Sequence, residues 1–286
     1  MKKVIITGAH SFIGTSLARF LAKWPRYYSV EMVSIRGGVR EISFKGADVI
    51  VHLAGIARVS RAESMKKIYY EVNRDLAAET AKRVKADGVK HFIFMSSMMV
   101  YGAKVQKITE QTQPAPSNAY GESKLQAERA ISNISDENFT VSIIRAPLVY
   151  GPGCRGNFPK LLNLARFARI FPDMDNRRTM IFVEDLAEYI KRIIDGASAG
   201  VFLPRGYDVA IKDIIVKYRA LDGKKTTLVK LPSFAVRAML KSSLGAKVFR
   251  TRVYAEVPAL MDDLGFQHSL ERMYEYTRQG RNSHIF

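Results

Sequence analysis

The segment Val4–Gly14 (VIITGAHSFIG) decides the fold of this chain. A β-branched apolar run ends at Gly8, and a helical pattern follows from Phe12 to Lys23. Gly8 allows a tight turn off the strand, and Gly14 allows the helix to pack closely on a sheet. The N–H groups and the positive dipole end at the start of such a helix suit a pyrophosphate. The segment therefore predicts a strand–turn–helix unit that binds a dinucleotide.

Ser11 occupies the middle position of this turn, where a third glycine is usual. Serine is small, and its hydroxyl could itself bond a phosphate. We expect the cofactor to lie along the turn, against Gly8, Ser11, Phe12, Ile13 and Gly14. An ordinary strand–turn–helix unit is the competing interpretation of these residues taken alone.

Apolar runs alternate with helical patterns over residues 1–150. Because the runs are apolar throughout and separated by helices, they predict a parallel sheet covered on both faces. We expect an α/β fold, a doubly wound parallel sheet of the Rossmann type. The predicted strands are Val30–Ile35, Val49–Ala54, His91–Met95 and Thr140–Arg145, and the predicted helices are Ile68–Ala86 and Tyr120–Ile134.

After Pro147 the alternation loosens, and prolines interrupt a region rich in Arg and Asn. We expect residues 1–150 to form the dinucleotide-binding domain and residues 151–286 to form mainly a smaller substrate-binding lobe. Helical patterns cover Phe158–Ile170 and Glu184–Ile194. The second of these helices belongs to a segment, about residues 178–196, that we expect to return to the first domain.

The second strand carries no acidic residue at its end, where an NAD-binding chain usually has one. Ser34 and Arg36 stand there instead, and an Arg36 guanidinium could bind a 2′-phosphate. NADP is therefore slightly favoured over NAD, with a solvated Arg36 as the competing interpretation. Only 13 residues, Arg36 to Asp48, precede the next strong strand. The usual third strand and its helix must be cut down, which leaves a more open adenine pocket.

Tyr120 and Lys124 open a predicted helix and lie four residues apart, so both side chains are on one face. A neighbouring ammonium would lower the tyrosine pKa toward the working pH, so that the phenol could exchange a proton with a sugar or alcohol oxygen. Ser96 and Ser97 follow the strand His91–Met95, and a serine at the carboxyl end of such a strand lies in the crevice where these sheets bind ligands. One of these serines could hold the substrate oxygen beside Tyr120.

Five motifs now stand in order, and as a set they are specific. They resemble the extended short-chain dehydrogenase/reductases, the NAD-dependent epimerase/dehydratase family, over roughly residues 1–195. The motifs are Thr7-Gly8-x-x-x-Phe12-Ile13-Gly14, His52-Leu53-Ala54-Gly55, Ser96-Ser97-x-x-Val100-Tyr101-Gly102, Tyr120-x-x-x-Lys124 and Arg145-x-Pro147-x-x-Tyr150-Gly151-Pro152-Gly153.

The resemblance implies a role for each matching residue. Ser97 would be the catalytic hydroxyl, Tyr120 the acid/base, and Lys124 its partner and a ligand of the nicotinamide ribose. The cofactor would also contact Leu53, Ala54, Gly55 and Asn73, besides the residues of the first turn and Arg36.

The resemblance also implies how the substrate is bound. Asn176 and Arg178 match a family stretch whose arginine binds the substrate's diphosphate, and Asn157 precedes a basic helix in the same lobe. Arg177 is either an added phosphate contact or a solvated residue, and Arg250 or Arg252 could also reach the phosphate.

Met98 and Met99 limit the types of reaction that the resemblance implies. They stand where the family's dehydratases carry an acidic pair. Methionine exchanges no proton, so dehydratase activity is disfavoured. The remaining activities are those of a 4-epimerase, or of a 4-reductase or dehydrogenase, on a UDP-hexose-type nucleotide sugar. The substrate-end motifs most resemble enzymes of surface-polysaccharide synthesis, and the family implies a homodimer paired through Ile68–Ala86 and Tyr120–Ile134.

The chain carries 45 Lys and Arg against 27 Asp and Glu, a net charge of +18. Nucleic acid, an anionic membrane, an anionic substrate or no partner at all could account for this charge. Because the charge is spread along the chain and no binding module is visible, we expect no nucleic-acid partner. A nucleic-acid-binding protein, or a non-catalytic NAD(P)-binding regulator, on the same fold remains the alternative.

The segment Lys230–Arg252 has six basic residues, no acidic one, and interleaved apolar residues. It predicts either a peripheral membrane contact or a helix that packs on the core and exposes a basic face. The packed helix is the commoner arrangement in proteins. Hydrophobic residues at 47% and charged residues at 25% exclude a disordered or collagen-like chain.

The sequence also bears on location and metal binding. No apolar run reaches the ~18 residues of a transmembrane helix, and the N-terminus enters a strand too early for a signal peptide. The single cysteine, Cys154, excludes an intrachain disulfide, and the five histidines are scattered. We therefore expect a cytoplasmic protein with no metal site.

Overall fold

The computed structural model describes residues 1–57, 62–232, 234, 236, 241, 250–258 and 263–282. The strands are β1 (Lys2–Thr7), β2 (Tyr28–Val33), β3 (Val49–His52), β4 (His91–Ser97), β5 (Lys107–Ile108), β6 (Thr140–Ala146), β7 (Leu148–Tyr150), β8 (Ile170–Pro172), β9 (Arg177–Phe182), β10 (Gly200–Phe202), β11 (Tyr207–Ala210), β12 (Thr227–Val229) and β13 (Val253–Tyr254). The helices are α1 (Phe12–Leu21), α2 (Glu63–Tyr69), α3 (Leu76–Ala86), α4 (Ala119–Ser132), α5 (Asn157–Phe167), α6 (Val183–Gly196), α7 (Ile211–Ala220) and α8 (Asp263–Asn282).

The chain divides into two compact units. The first contains Met1–Lys104, Thr112–Pro147 and Val183–Pro204, and the second contains Val105–Gln111, Leu148–Phe182 and the described residues of Arg205–Phe286. The sequence predicts a boundary between the two domains at residue 150 and a return of about residues 178–196 to the first domain. The structure differs because β9 pairs with β7 and β11 in the second unit, whereas α6 packs on α1 in the first.

A six-stranded parallel sheet forms the centre of the first unit, in the order β10-β6-β4-β3-β1-β2. Ile5 packs in a buried cluster with residues of α3 and α4. Ile6 instead faces Gly14 of α1. Because successive strand residues point to opposite faces, helices cover both sides of the sheet. The predicted doubly wound α/β fold is confirmed.

The short connection after β2 has the expected effect on the sheet. Residues 36–48, all of which the structure describes, form turns and no strand, so that β2 is an edge strand. Phe44 anchors this connection: its side chain is fully buried, and its N–H donates to Asp87 at 2.7 Å.

Two helices differ in their bounds from the sequence prediction. The pattern over Ile68–Ala86 is divided among α2, a π-helical turn at Tyr70–Asp75, and α3. The basic helix expected over Phe158–Ile170 ends at Phe167, since residues from Ile170 onward enter β8. Most of the stretch Lys230–Arg252 lies outside the described residues.

The second unit contains a three-stranded sheet, β11-β9-β7, and two parallel strand pairs, β12-β8 and β13-β5. Its core is built on aromatic side chains from the strands and from α5, α7 and α8. Tyr150 is fully buried there and hydrogen-bonds Ser269 at 2.5 Å. Among the described residues, no helix combines the length and the apolar character that crossing a bilayer requires.

Candidate functional site

The turn between β1 and α1 requires glycine for two separate reasons. Gly8 has φ +87°, and a Cβ there would lie 2.9 Å from the backbone nitrogen of Ala54. A Cβ at Gly14 would lie 2.6 Å from the Ser11 Oγ. The Ser11 Oγ caps α1 by accepting a hydrogen bond from the Gly14 N–H at 3.0 Å. A hydroxyl that accepts this bond still has a hydrogen to donate.

The loop after β3 is held by Asn73. This buried side chain accepts a hydrogen bond from the Ile56 N–H at 2.8 Å and donates to the Ile56 carbonyl at 3.2 Å. It lies in the π-helical turn, an irregularity frequent at functional sites. At Gly55, a Cβ would lie 2.9 Å from the Asn73 Oδ1 and 3.3 Å from the Lys124 Nζ. Gly55 therefore lets Asn73 and Lys124 approach the backbone of this loop.

Ser97 and Tyr120 are brought together at the end of β4. The Ser97 Oγ accepts a hydrogen bond from the Met99 N–H at 3.2 Å, which caps the 3-10 turn Met98–Tyr101. The side chain of Ser97 also lies close enough to that of Tyr120, the second residue of α4, to lower its pKa. Gly121 permits this approach, because a Cβ there would lie 2.5 Å from the Met99 carbonyl oxygen. The predicted hydroxyl pair thus exists as a contact.

The pKa shifts of Tyr120 and Lys124 differ from the expectation. Burial raises the pKa of Tyr120, and the Ser97 side chain offsets this only in part. The Lys124 ammonium donates to the Met95 carbonyl at 2.9 Å and lies 4.7 Å from the Phe94 ring centre. Burial lowers the pKa of Lys124 to about 8. The expected lowering of the Tyr120 pKa by Lys124 is therefore wrong for this structure, because burial is the largest effect on Tyr120 and the group that lowers its pKa is Ser97.

Glu128 is a buried acid that the sequence analysis missed. It lies on α4 four residues after Lys124 and eight after Tyr120, which places all three on one helix face. Its charge raises the pKa of Lys124 and so offsets part of the effect of burial. The i, i+4, i+8 spacing from Tyr120 was the available signal.

Glu128 connects three elements of the first unit. Its carboxylate accepts a short hydrogen bond from the Ser96 hydroxyl, at the residue before Ser97. It also accepts three bonds from the Arg145 guanidinium, at 2.7–3.2 Å. Arg145 in turn donates to the Tyr101 hydroxyl at 2.8 Å. The ion pair therefore joins α4 and β6 to both ends of the segment that carries Ser97.

The second unit places two arginines side by side. Arg178 of β9 lies against Arg252, with the Thr179 N–H donating to the Arg252 carbonyl at 3.0 Å. Burial and the charge of Arg252 lower the pKa of Arg178 to about 10. Burial also lowers the pKa of Arg252. Because two desolvated guanidinium groups repel each other, this arrangement favours an anionic ligand.

The other predicted substrate residues occupy different environments in this unit. Asn176 is buried, and Asn157 is an exposed residue at the start of α5. Arg177 is exposed and pairs with Asp175 at 3.0 Å, so its solvated interpretation is favoured. Arg250 is also exposed, and it is Arg252 that lies beside Arg178.

The sequence model of the NAD dependent epimerase/dehydratase family matches residues 4–203. This chain belongs to that family. UDP-glucose 4-epimerase of Vibrio cholerae is 29% identical over 262 residues, covering 81% of this chain and 79% of that protein.

A second relative is N-acetyl-alpha-D-glucosaminyl-diphospho-ditrans,octacis-undecaprenol 4-epimerase of Escherichia coli O157:H7. It is 30% identical over 217 residues, covering 69% of this chain and 64% of that protein. Among solved structures, MoeE5 in complex with UDP-glucose and NAD superposes with a TM-score of 0.74 at 21% identity, covering 97% and 99% of the two chains.

Membership of the epimerase/dehydratase family confirms the resemblance seen in the five motifs. The match extends through α6 and β10, slightly beyond the expected limit near residue 195. The family also favours an enzyme over the nucleic-acid-binding alternative.

We predict that Glu128→Gln destabilises the protein by roughly 3–5 kcal/mol, because it leaves the Arg145 charge buried without its counter-charge. The same change should lower the pKa of Lys124 further, since the charge that raises it is removed. Denaturant unfolding measures the first effect, and an NMR titration of the lysine measures the second.

The matched control for this variant is Glu188→Gln. It breaks the exposed i, i+4 pair with Arg192 in the same unit, and we expect it to cost ~0–1 kcal/mol. Equal destabilisation by the two variants would contradict the assignment of the Glu128 pair.

Proposed function

We propose that this chain is an NAD(P)-dependent enzyme acting on a UDP-hexose-type nucleotide sugar, in surface-polysaccharide synthesis. It would either epimerise C4 or catalyse a net 4-reduction or dehydrogenation. The observation that carries the proposal is the Ser97–Tyr120 hydroxyl pair at the carboxyl end of a parallel strand, with Lys124 on the same face of α4 as Tyr120. The names of the Vibrio and Escherichia relatives, both 4-epimerases, support it.

The residues present fit a dinucleotide. The glycine turn meets the N-terminus of α1, and Gly55 leaves room where a Cβ would crowd Asn73 and Lys124. When bound, the nicotinamide would supply hydride transfer to and from the sugar carbon. The residues proposed to hold the cofactor are Gly8, Ser11, Phe12, Ile13, Gly14, Arg36, Leu53, Ala54, Gly55, Asn73, Tyr120 and Lys124.

The choice between NADP and NAD rests on Arg36. This residue is exposed in the turn that follows β2, where no acidic side chain competes with a 2′-phosphate. NADP is slightly favoured on this ground, and the proposed function holds for either dinucleotide.

Tyr120 is proposed as the acid/base and Ser97 as the residue that orients the substrate oxygen. Because burial raises the pKa of Tyr120, the phenol keeps its proton at neutral pH, which suits protonation of a carbonyl oxygen. Lys124 is mostly charged at neutral pH, since its pKa is about 8. Its cationic charge would favour oxyanion character on the substrate.

The proposed substrate ligands are Ser97, Asn157, Asn176 and Arg178. Arg178, with Arg252 beside it, presents two guanidinium groups that suit the oxygens of a diphosphate. Met98 and Met99 supply no acid or base for elimination of water, so the dehydratase reaction of the family is not proposed.

A second candidate substrate is a sugar diphosphate linked to a polyprenol. The Escherichia coli relative, at 30% identity, carries such a substrate in its name. The reacting sugar carbon and the diphosphate are common to both candidates. The two candidate substrates are distinguished by measuring turnover of a panel of UDP-sugars and turnover of the polyprenol-linked sugar diphosphate in detergent.

We also propose a homodimer in the cytoplasm. The family resemblance implies pairing through Ile68–Ala86 and Tyr120–Ile134, the segments that contain α3 and most of α4, and Ile68 on α2 is exposed. Light scattering should give twice the chain mass of 32.2 kDa. A mass near 32.2 kDa at micromolar protein would exclude this dimer.

Tyr120→Phe should lower turnover by ~10²-fold or more, because the proton-transfer group is removed, while the other proposed cofactor ligands keep the dinucleotide bound. Turnover is measured on the responsive UDP-sugar, and nicotinamide absorbance distinguishes net redox chemistry from epimerisation. The control is Tyr28→Phe, which removes another hydroxyl of the same unit, at the opposite end of the sheet. A near wild-type rate for Tyr120→Phe would rule out its assigned role.

Arg178→Ala should weaken nucleotide-sugar binding by roughly 2–5 kcal/mol, the loss expected when a desolvated charge pair is broken. Arg177→Ala is the matched control, because Arg177 neighbours Arg178 on β9 yet is exposed and paired with Asp175. We expect it to change affinity by ~0–1 kcal/mol. Calorimetric titration of UDP measures both, and an unchanged affinity of Arg178→Ala would refute the diphosphate site.

A further inference from the structure

The second unit presents a group of apolar side chains to solvent. Phe167 is 72% exposed, Ile170 68% and Leu164 49%, and Val229 is exposed as well. We call these four residues the α5–β12 face. Isolated apolar residues at a surface are ordinary, but a contiguous group of this kind marks an interaction surface.

The α5–β12 face is contiguous because its elements adjoin. Leu164 and Phe167 are three residues apart on one side of α5, and Ile170 begins β8 directly after the helix. β12 runs parallel to β8, with Thr227 opposite Ile170 and Val229 opposite Pro172.

A buried arginine makes the backbone beneath this face rigid. Arg219 of α7 donates to the Arg166 carbonyl at 2.7 Å and to the Lys225 carbonyl at 3.0 and 3.3 Å. The Thr227 N–H donates to the Arg169 carbonyl at 2.8 Å. The segments before β8 and before β12 are therefore joined by hydrogen bonds, and the apolar side chains project from a preformed surface.

The border of this face is basic. Residues 155–172 and 223–232, which contain the whole face, carry seven Lys or Arg, and the acidic residues that adjoin them, Asp173 and Asp222, are paired with Lys212 and Lys224. Arg169, Lys225 and Lys230 are exposed. An apolar centre with a basic border is complementary to a surface that is anionic outside and apolar beneath. Two copies of this face would repel each other, which disfavours self-association.

We propose that the α5–β12 face binds the surface of an anionic phospholipid bilayer. The side chains of Phe167, Ile170 and Leu164 would enter the boundary between head groups and acyl chains. Arg169 and Lys225 would bind the lipid phosphates, and each basic residue near such a surface strengthens binding by about fivefold. This assignment gives part of the +18 charge a partner and is independent of the reaction that the first unit catalyses.

The test is flotation of the full chain with vesicles. The wild-type protein should float with phosphatidylcholine–phosphatidylglycerol vesicles, stay unbound with phosphatidylcholine alone, and be released by high salt. Phe167→Ser/Ile170→Ser should weaken binding by at least about tenfold, because the inserting side chains are lost. Arg169→Glu/Lys225→Glu should weaken it by about 25-fold or more.

The matched control is Arg26→Glu/Lys90→Glu, which makes the same change in net charge at exposed positions of the first unit. It should bind vesicles far better than Arg169→Glu/Lys225→Glu. Circular dichroism checks that each variant is folded.

Three outcomes would overturn the proposal. The wild-type protein fails to float with anionic vesicles, or the two charge variants lose binding equally, or Phe167→Ser/Ile170→Ser binds as the wild type does. A lipid-free oligomer that only Phe167→Ser/Ile170→Ser dissociates would instead make the face an interface between copies.

Discussion

The buried ion pair between Glu128 and Arg145 is the constraint on which the candidate catalytic geometry depends. It joins the helix that carries Tyr120 to the strand next to the one that ends at Ser97. A buried carboxylate needs several hydrogen bonds to offset its lost hydration, and this one has them from Arg145 and Ser96. Since Ser96 precedes Ser97, the bonds that satisfy the carboxylate also limit where the Ser97 hydroxyl can lie.

Burial determines the proton affinities in this site. Tyr120 and Lys124 are both desolvated, and each shifts toward its neutral form: the pKa of the phenol rises and that of the ammonium falls. Glu128 partly opposes the shift of Lys124. The structure thus combines a phenol whose pKa is raised with an ammonium whose pKa is lowered to about 8.

The positive charge of the chain occurs in two different settings. Arg178 and Arg252 are largely desolvated and adjacent, which suits a compact anion such as a diphosphate. Arg169 and Lys225 are exposed around apolar side chains, which suits an extended anionic surface. Desolvated charges bind strongly and selectively, whereas exposed charges act by their number and weaken with salt.

The sequence by itself determined the parallel α/β sheet and the glycine turn, and it predicted the pairing of Tyr120 with Lys124. These follow from local spacing: apolar runs predict strands, and a four-residue interval places two side chains on one helix face. The choice of Ser97 came from the family resemblance. Only the tertiary structure decided that Glu128 pairs with Arg145 and that Arg178 lies beside Arg252. It also set the order of the pKa shifts, because partners distant in sequence and the extent of burial exist only once the chain has folded.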